Sequence, residues 1–96
     1  MNEQQASRVA KALAHPLRIA FMLALREQGK LSPSEYARAF GAKVVAVNYH
    51  VLVLAGVDAV ESRETARRGG ATEHFYAPKE PNAKLVLDLI DRLVEA

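Results

Sequence analysis

A mainly α-helical chain carrying one small β-hairpin is the fold class that this sequence predicts, on three observations. Apolar residues recur at helical spacing in several separate segments. A short, strongly capped helix is followed by a glycine and then by a second helix. Two β-compatible runs later in the chain are separated by paired glycines. With 96 residues, half of them hydrophobic and a quarter charged, the chain is long enough for one core and too short for two ordinary domains.

Taken in order, Ala6, Val9, Ala10 and Leu13 form an apolar stripe on a first helix from Gln4 to Ala14. Pro16 suits the first turn of a second helix, where no intrahelical N–H donor is needed. That helix, Pro16 to about Gln28, is apolar on nearly every side and reads as the central core helix, with Gly29 as its stop. Ser32-Pro33-Ser34-Glu35 combines a capping serine, a proline at the first helical position and a glutamate three residues after the cap. This is a capping box, and the short helix it starts ends at Gly41. A further helix begins near Ala42 or Lys43, with Val44, Val47, Val51 and Leu54 as its core stripe, and ends around Ala55-Gly56.

Runs at 59–65 and 72–76 are β-compatible, and Gly69-Gly70 between them suggests a hairpin with Ala66-Arg67-Arg68 in its loop. Leu85, Val86, Leu89, Ile90, Leu93 and Val94 then mark an amphipathic terminal helix at about 82–95. The order is that of a winged helix-turn-helix: helix-turn-helix at about 32–55, wing at about 59–77, all in one domain covering 1–96. Inside the motif, small Ala37 suits a close helix approach, Gly41 the turn, and Val47 the packing of the second helix.

Composition excludes several functions. There is no cysteine, so disulfides, thiolate metal sites and thiol switching are ruled out. His15, His50 and His74 are scattered, and the last helix offers only Asp88 and Asp91, so neither a metal nor another cofactor is expected. No phosphate-cradling glycine loop, nucleophile elbow or Cys/His pair is present, which argues against an enzyme. The polar opening and the lack of a bilayer-length apolar stretch predict a cytoplasmic protein without a membrane partner. The net charge is only +2, yet up to Lys43 seven basic residues face three acidic ones. Such a surplus attracts a phosphate backbone, although ordinary solvated helix faces account for it equally well.

Four stretches resemble the ArsR-type winged helix-turn-helix transcriptional regulators. They are Lys11-Ala12-Leu13-Ala14-His15-Pro16-Leu17-Arg18-Ile19, Leu31-Ser32-Pro33-Ser34-Glu35, Asn48-Tyr49-His50-Val51 and Glu73-His74-Phe75-Tyr76. The resemblance implies a homodimer joined through its first and last helices, reading a palindromic operator in double-stranded DNA with the helix at Lys43 to Leu54. It also implies repression relieved by a metal or a small-molecule effector. The surplus of apolar surface on the last helix supports a dimer independently, with Ala6, Val9, Leu13, Leu85, Val86, Leu89, Ile90 and Leu93 as its candidate interface.

Candidate DNA contacts are Lys43 to phosphate, Asn48 to adenine, and Tyr49 to the backbone or thymine methyls, with Val45 and Ala46 on the same face. Arg67 and Arg68 at the hairpin tip, and Arg63 on the approaching strand, are candidates for flanking DNA. A solvated turn paired with Glu64 and Glu73 is the other reading of those arginines. The chain departs from the family where Ser or Thr is usual near 43, 45 and 46 and a base near 52: it has Lys43, Val45, Ala46 and Leu52. The usual Ala-Gly-Leu after the helix is replaced by Val57, Asp58 and Ala59, so either Gly56 caps earlier or the helix ends differently. These changes keep open a second function, a protein-interaction module such as an adaptor or antirepressor that no longer reads sequence.

Overall fold

The computed structural model describes residues 2–95, with the side chain of Arg68 excepted, so Met1 and Ala96 of the expected domain lie outside the described residues. Five helices and one hairpin follow in the expected order: α1 (Glu3–Ala12), α2 (Pro16–Gln28), α3 (Pro33–Phe40), α4 (Val44–Gly56), β1 (Val60–Arg68), β2 (Ala71–Pro78) and α5 (Asn82–Glu95).

Each helix end has a local cause. Asn2 and Gln5 close a capping box on α1, each side chain accepting from the other's backbone N–H at 2.8–2.9 Å. α1 stops two residues before the expected Ala14, His15 being extended ahead of Pro16, and the Arg18 guanidinium donates to the Lys11 and Ala12 carbonyls at 3.3 and 3.2 Å. At α2 the cap is His15, whose Nδ1 accepts from the Leu17 N–H at 3.2 Å. Ser32 and Glu35 form the expected box on α3, and Gly41 ends it in the left-handed conformation, φ 67°. α4 begins at Lys43, where no side chain supplies a cap. Of the two endings open to α4, an early cap at Gly56 is not the one adopted. Gly56 is the last helical residue, and Asp58 takes the left-handed turn, φ 59°. A short polar side chain tolerates that conformation, and Lys79 Nζ holds the Asp58 carboxylate at 2.8 Å.

The hairpin is longer than the sequence suggested. Arg67 and Arg68 pair with Thr72 and Ala71 as strand residues, and the turn itself is Gly69-Gly70 alone. Both glycines have positive φ, 54° and 85°, which is what a two-residue turn matched to strand twist requires. A bulge between Ser62 and Glu64 leaves Arg63 as the extra residue on β1. Leu31 adds a short bridge to the sheet, exchanging backbone hydrogen bonds with Tyr76 at 2.9 and 3.0 Å. The wing is thereby stitched to the start of the helix-turn-helix.

Phe21, Met22 and Leu25 of α2 meet Val47, Val51 and Leu54 of α4, Val60 of β1, and Val86 and Ile90 of α5 in one fully buried core. Val44 is a correction to the expected α4 stripe. It occupies the first turn, ahead of the point where α4 reaches the core, and is exposed. Arg26 and Asp91 fasten α2 to α5 through two hydrogen bonds of 3.0 Å.

Candidate nucleic-acid interface

α4 is built from almost nothing but apolar residues, so polarity does not tell its faces apart. Packing does. Val47, Val51 and Leu54 are wholly buried, at the spacing of one helix face. Lys43, Val45, Ala46, Asn48, Tyr49 and Leu52 are all exposed, Val45 at 80%, Tyr49 at 60% and Leu52 at 53%. Nothing among the described residues covers this outer face, and it holds all five helix residues that the sequence marked as DNA contacts.

The wing residues divide. Arg63, at the bulge, is engaged by Glu61 at 3.0 Å. Glu64 pairs with Lys30 at 2.8 Å, and the same ammonium lies 5.4 Å from the Phe75 ring centroid. Glu73 is buried and accepts a hydrogen bond of 2.5 Å from the Ser32 hydroxyl. Arg67 is exposed and has no carboxylate partner among the described residues, so its pairing with Glu64 or Glu73 is not found. The Arg68 side chain lies outside the described residues.

The Ser32–Glu73 bond ties α3 to β2, a link of 41 residues in sequence. It is short, as a hydroxyl donating to a carboxylate should be. The same Ser32 oxygen accepts from the Glu35 N–H at 3.0 Å, so one side chain caps the helix and anchors the wing. Beside it, Arg38 of α3 lines a cleft of about 260 Å³ with Ser34, Thr72 and Glu73. Sequence reasoning missed Arg38, because only folding brings α3 next to the far strand of the wing.

Behind the outer face, α4 leans on the α1–α2 corner through His50. Its Nδ1 accepts from Arg18 Nε at 3.0 Å, and its ring lies 4.0 Å from that of His15 and 5.2 Å from that of Tyr49. Burial, and then the neighbouring His15 and Arg18, push the His50 pKa below its ordinary 6.5. The unfolded chain therefore binds the proton first as pH falls, so this contribution to stability is complete above pH 6.5 and is lost toward the lower folded value. We expect the melting temperature to drop between pH 7.5 and 5.5, and His50→Gln, which keeps an acceptor for Arg18, to shrink that drop in a thermal melt series. An equal slope in both proteins would remove His50 as its source.

The eight residues expected at a dimer interface also divide. Val9, Leu13, Val86 and Ile90 are buried in the chain's own core, a correction that follows from the amphipathic helices turning their centres inward. Ala6, Leu85, Leu89 and Leu93 remain exposed, with Val94 beside them. Among the described residues no cluster of three or more potential metal ligands occurs, and no helix is long and apolar enough to cross a membrane.

No family model and no curated protein matches the chain, but solved structures do. Reduced HlyU from Vibrio cholerae superposes with a TM-score of 0.76 at 24% identity, covering 96% of this chain and 90% of that one. The homodimeric winged helix-turn-helix DNA-binding domain Mb0332 from Mycobacterium bovis, a possible ArsR-family transcriptional regulator, gives 0.74 at 24%, covering 96% and 80%. The antimony-specific transcriptional repressor AntR gives 0.67 at 28%, covering 96% and 78%. These neighbours are regulators rather than enzymes. The chain thus carries, along nearly its whole length, the winged helix-turn-helix fold of the ArsR-type transcriptional regulators that its sequence resembles.

Proposed function

We propose that the protein is a homodimeric, sequence-specific DNA-binding regulator, a repressor, that lays α4 in the major groove and its wing on flanking DNA. The observation that carries this reading is the bare outer face of α4, held rigidly from behind by Val47, Val51 and Leu54. The side chains on that face define what it reads. Asn48 suits a bidentate pair with adenine, while Val45, Ala46 and Leu52 suit thymine methyl groups rather than polar base edges. A half-site rich in A·T pairs is the corresponding operator. Lys43 and Arg67, neither held by a carboxylate among the described residues, supply phosphate contacts. Exposed Leu85, Leu89, Leu93 and Val94 on α5, with Ala6 on α1, supply the self-contact, which would set two copies of α4 about 34 Å apart.

Selection from a random duplex pool tests this directly, followed by titration of the selected site at several salt concentrations. Asn48→Ala should change base preference at one position by about 1–3 kcal/mol. Arg67→Ala with Arg68→Ala should weaken every duplex alike and flatten the salt slope by about 0.9 for each phosphate that is no longer neutralised. Variants that bind like the parent would show the assigned face to be wrong, and a monomeric mass would remove the palindrome.

A second reading rests on the same face. Exposed Val45 and Leu52 also fit a protein partner, as in an adaptor or antirepressor. Absence of duplex binding even at low salt would favour it.

A further inference from the structure

We propose that the groove between α1 and α4 is a second DNA-backbone contact, in which Arg8 and Lys11 of α1 take phosphates beside the helix that enters the major groove. The inference rests on the DNA-binding reading above and extends its contact surface to a helix otherwise assigned only to self-association.

The groove encloses about 310 Å³, and Tyr49 and Val53, one turn apart on α4, form one wall. Arg8, Lys11 and Arg18 form the other, and no carboxylate among the described residues lines it. Tyr49 belongs both to this wall and to the exposed face of α4, so the groove opens where a duplex seated on α4 would pass. Charge is available there. Arg26, Lys30, Arg63, Lys79 and Lys84 are each held by a carboxylate, whereas Arg8 and Lys11 are exposed and have no such partner among the described residues. Asp58 borders the far side of Arg8, but its oxygen is taken by Lys79 Nζ at 2.8 Å.

A helix carbonyl end next to a phosphate would normally repel it. Here Arg18 removes that objection. Its guanidinium covers the Lys11 and Ala12 carbonyls, and its Nε is fixed on His50, so the carbonyl end of α1 is neutralised from within the chain. What remains facing outward is two flexible cations and the Tyr49 hydroxyl, the chemistry that holds phosphodiester oxygens without reading bases.

The test compares the full-length parent with the double variant Arg8→Gln, Lys11→Gln, both positions being exposed and without a role in the core. Each protein is titrated on a selected duplex and on a random duplex at 50–300 mM salt. The expected result is a salt slope smaller by about 1.8, binding weaker by about tenfold or more at 0.1 M salt for both duplexes, unchanged base preference and an unchanged mass. An unaltered slope in this variant, while Arg67→Ala with Arg68→Ala still flattens it, would overturn the groove and leave the DNA-binding reading standing. A changed mass would overturn it in favour of self-contact. A parent that binds no duplex at low salt would remove both.

Discussion

Phe21→Ala should lower the stability of the protein by about 3–5 kcal/mol, the cost of deleting a buried aromatic ring and leaving its cavity. Phe21 is wholly buried at the centre of α2, and its ring centroid lies 5.5 Å from that of Tyr36 in α3. The substitution removes packing against the helix-turn-helix as well as core volume. Small domains have only about 5–15 kcal/mol in hand, so urea unfolding should show a midpoint collapsed toward the start of the titration with an unchanged slope. Phe40 provides the contrast. It stacks on Tyr36 at 4.5 Å but is 65% exposed, and Phe40→Ala should fall within about 1 kcal/mol of the parent. Equal losses for the two would mean that the core does not centre on α2.

Ser32→Ala should cost about 2–4 kcal/mol, more than the roughly 1 kcal/mol typical of a helix cap. The hydroxyl is fully buried and does two things: it accepts from the Glu35 N–H and donates to the Glu73 carboxylate. Its loss removes a cap and also a charge-assisted hydrogen bond worth about 1.5–3 kcal/mol at a buried carboxylate. Glu73→Gln should be milder, because an amide oxygen still accepts from Ser32 and the Ser32 hydroxyl still caps α3. Amide exchange at β2 locates the effect: protection at Tyr76 and neighbouring strand residues should fall in Ser32→Ala. A loss no larger than an ordinary cap would show that the wing does not depend on this bond.

Much of the fold was legible because it is written in local chemistry. Ser32-Pro33-Ser34-Glu35 marks a helix start through groups three residues apart, and Pro16, Gly29 and Gly41 act on their own backbone. The hairpin was legible through Gly69-Gly70, but its length was not. Arg67 and Arg68, beside the paired glycines, read as loop residues, but they pair with Thr72 and Ala71 as the ends of the strands. His15 was read as an isolated histidine, yet it caps α2 and packs its ring, tilted, against that of His50, a residue whose proximity the chain order does not announce.

The candidate site was legible residue by residue and not as a surface. Every α4 residue named from the sequence as a DNA contact is exposed on the outer face, because helical spacing alone places 45, 48 and 49 together, away from the buried 47, 51 and 54. Arg63 was named as a contact with flanking DNA and is held by Glu61. Arg8, Lys11 and Arg38 were passed over because their neighbours come from other elements. Where the family usually has Ser or Thr, Lys43 leaves the start of α4 without a side-chain cap.

Caps, breakers and apolar periodicity act over one helical turn or one tight turn, and this local chemistry is enough to set the order of the elements, their ends to within a few residues, and the winged helix-turn-helix class. Packing of the folded chain selects which of the apolar residues on α1 and α5 belong to the core and which stay outside. It also decides which cations are neutralised and how the wing is tied to α3. Those outcomes depend on groups that are distant in the chain and meet only after packing, where burial and opposite charge select among surfaces that hydrophobic spacing leaves equivalent.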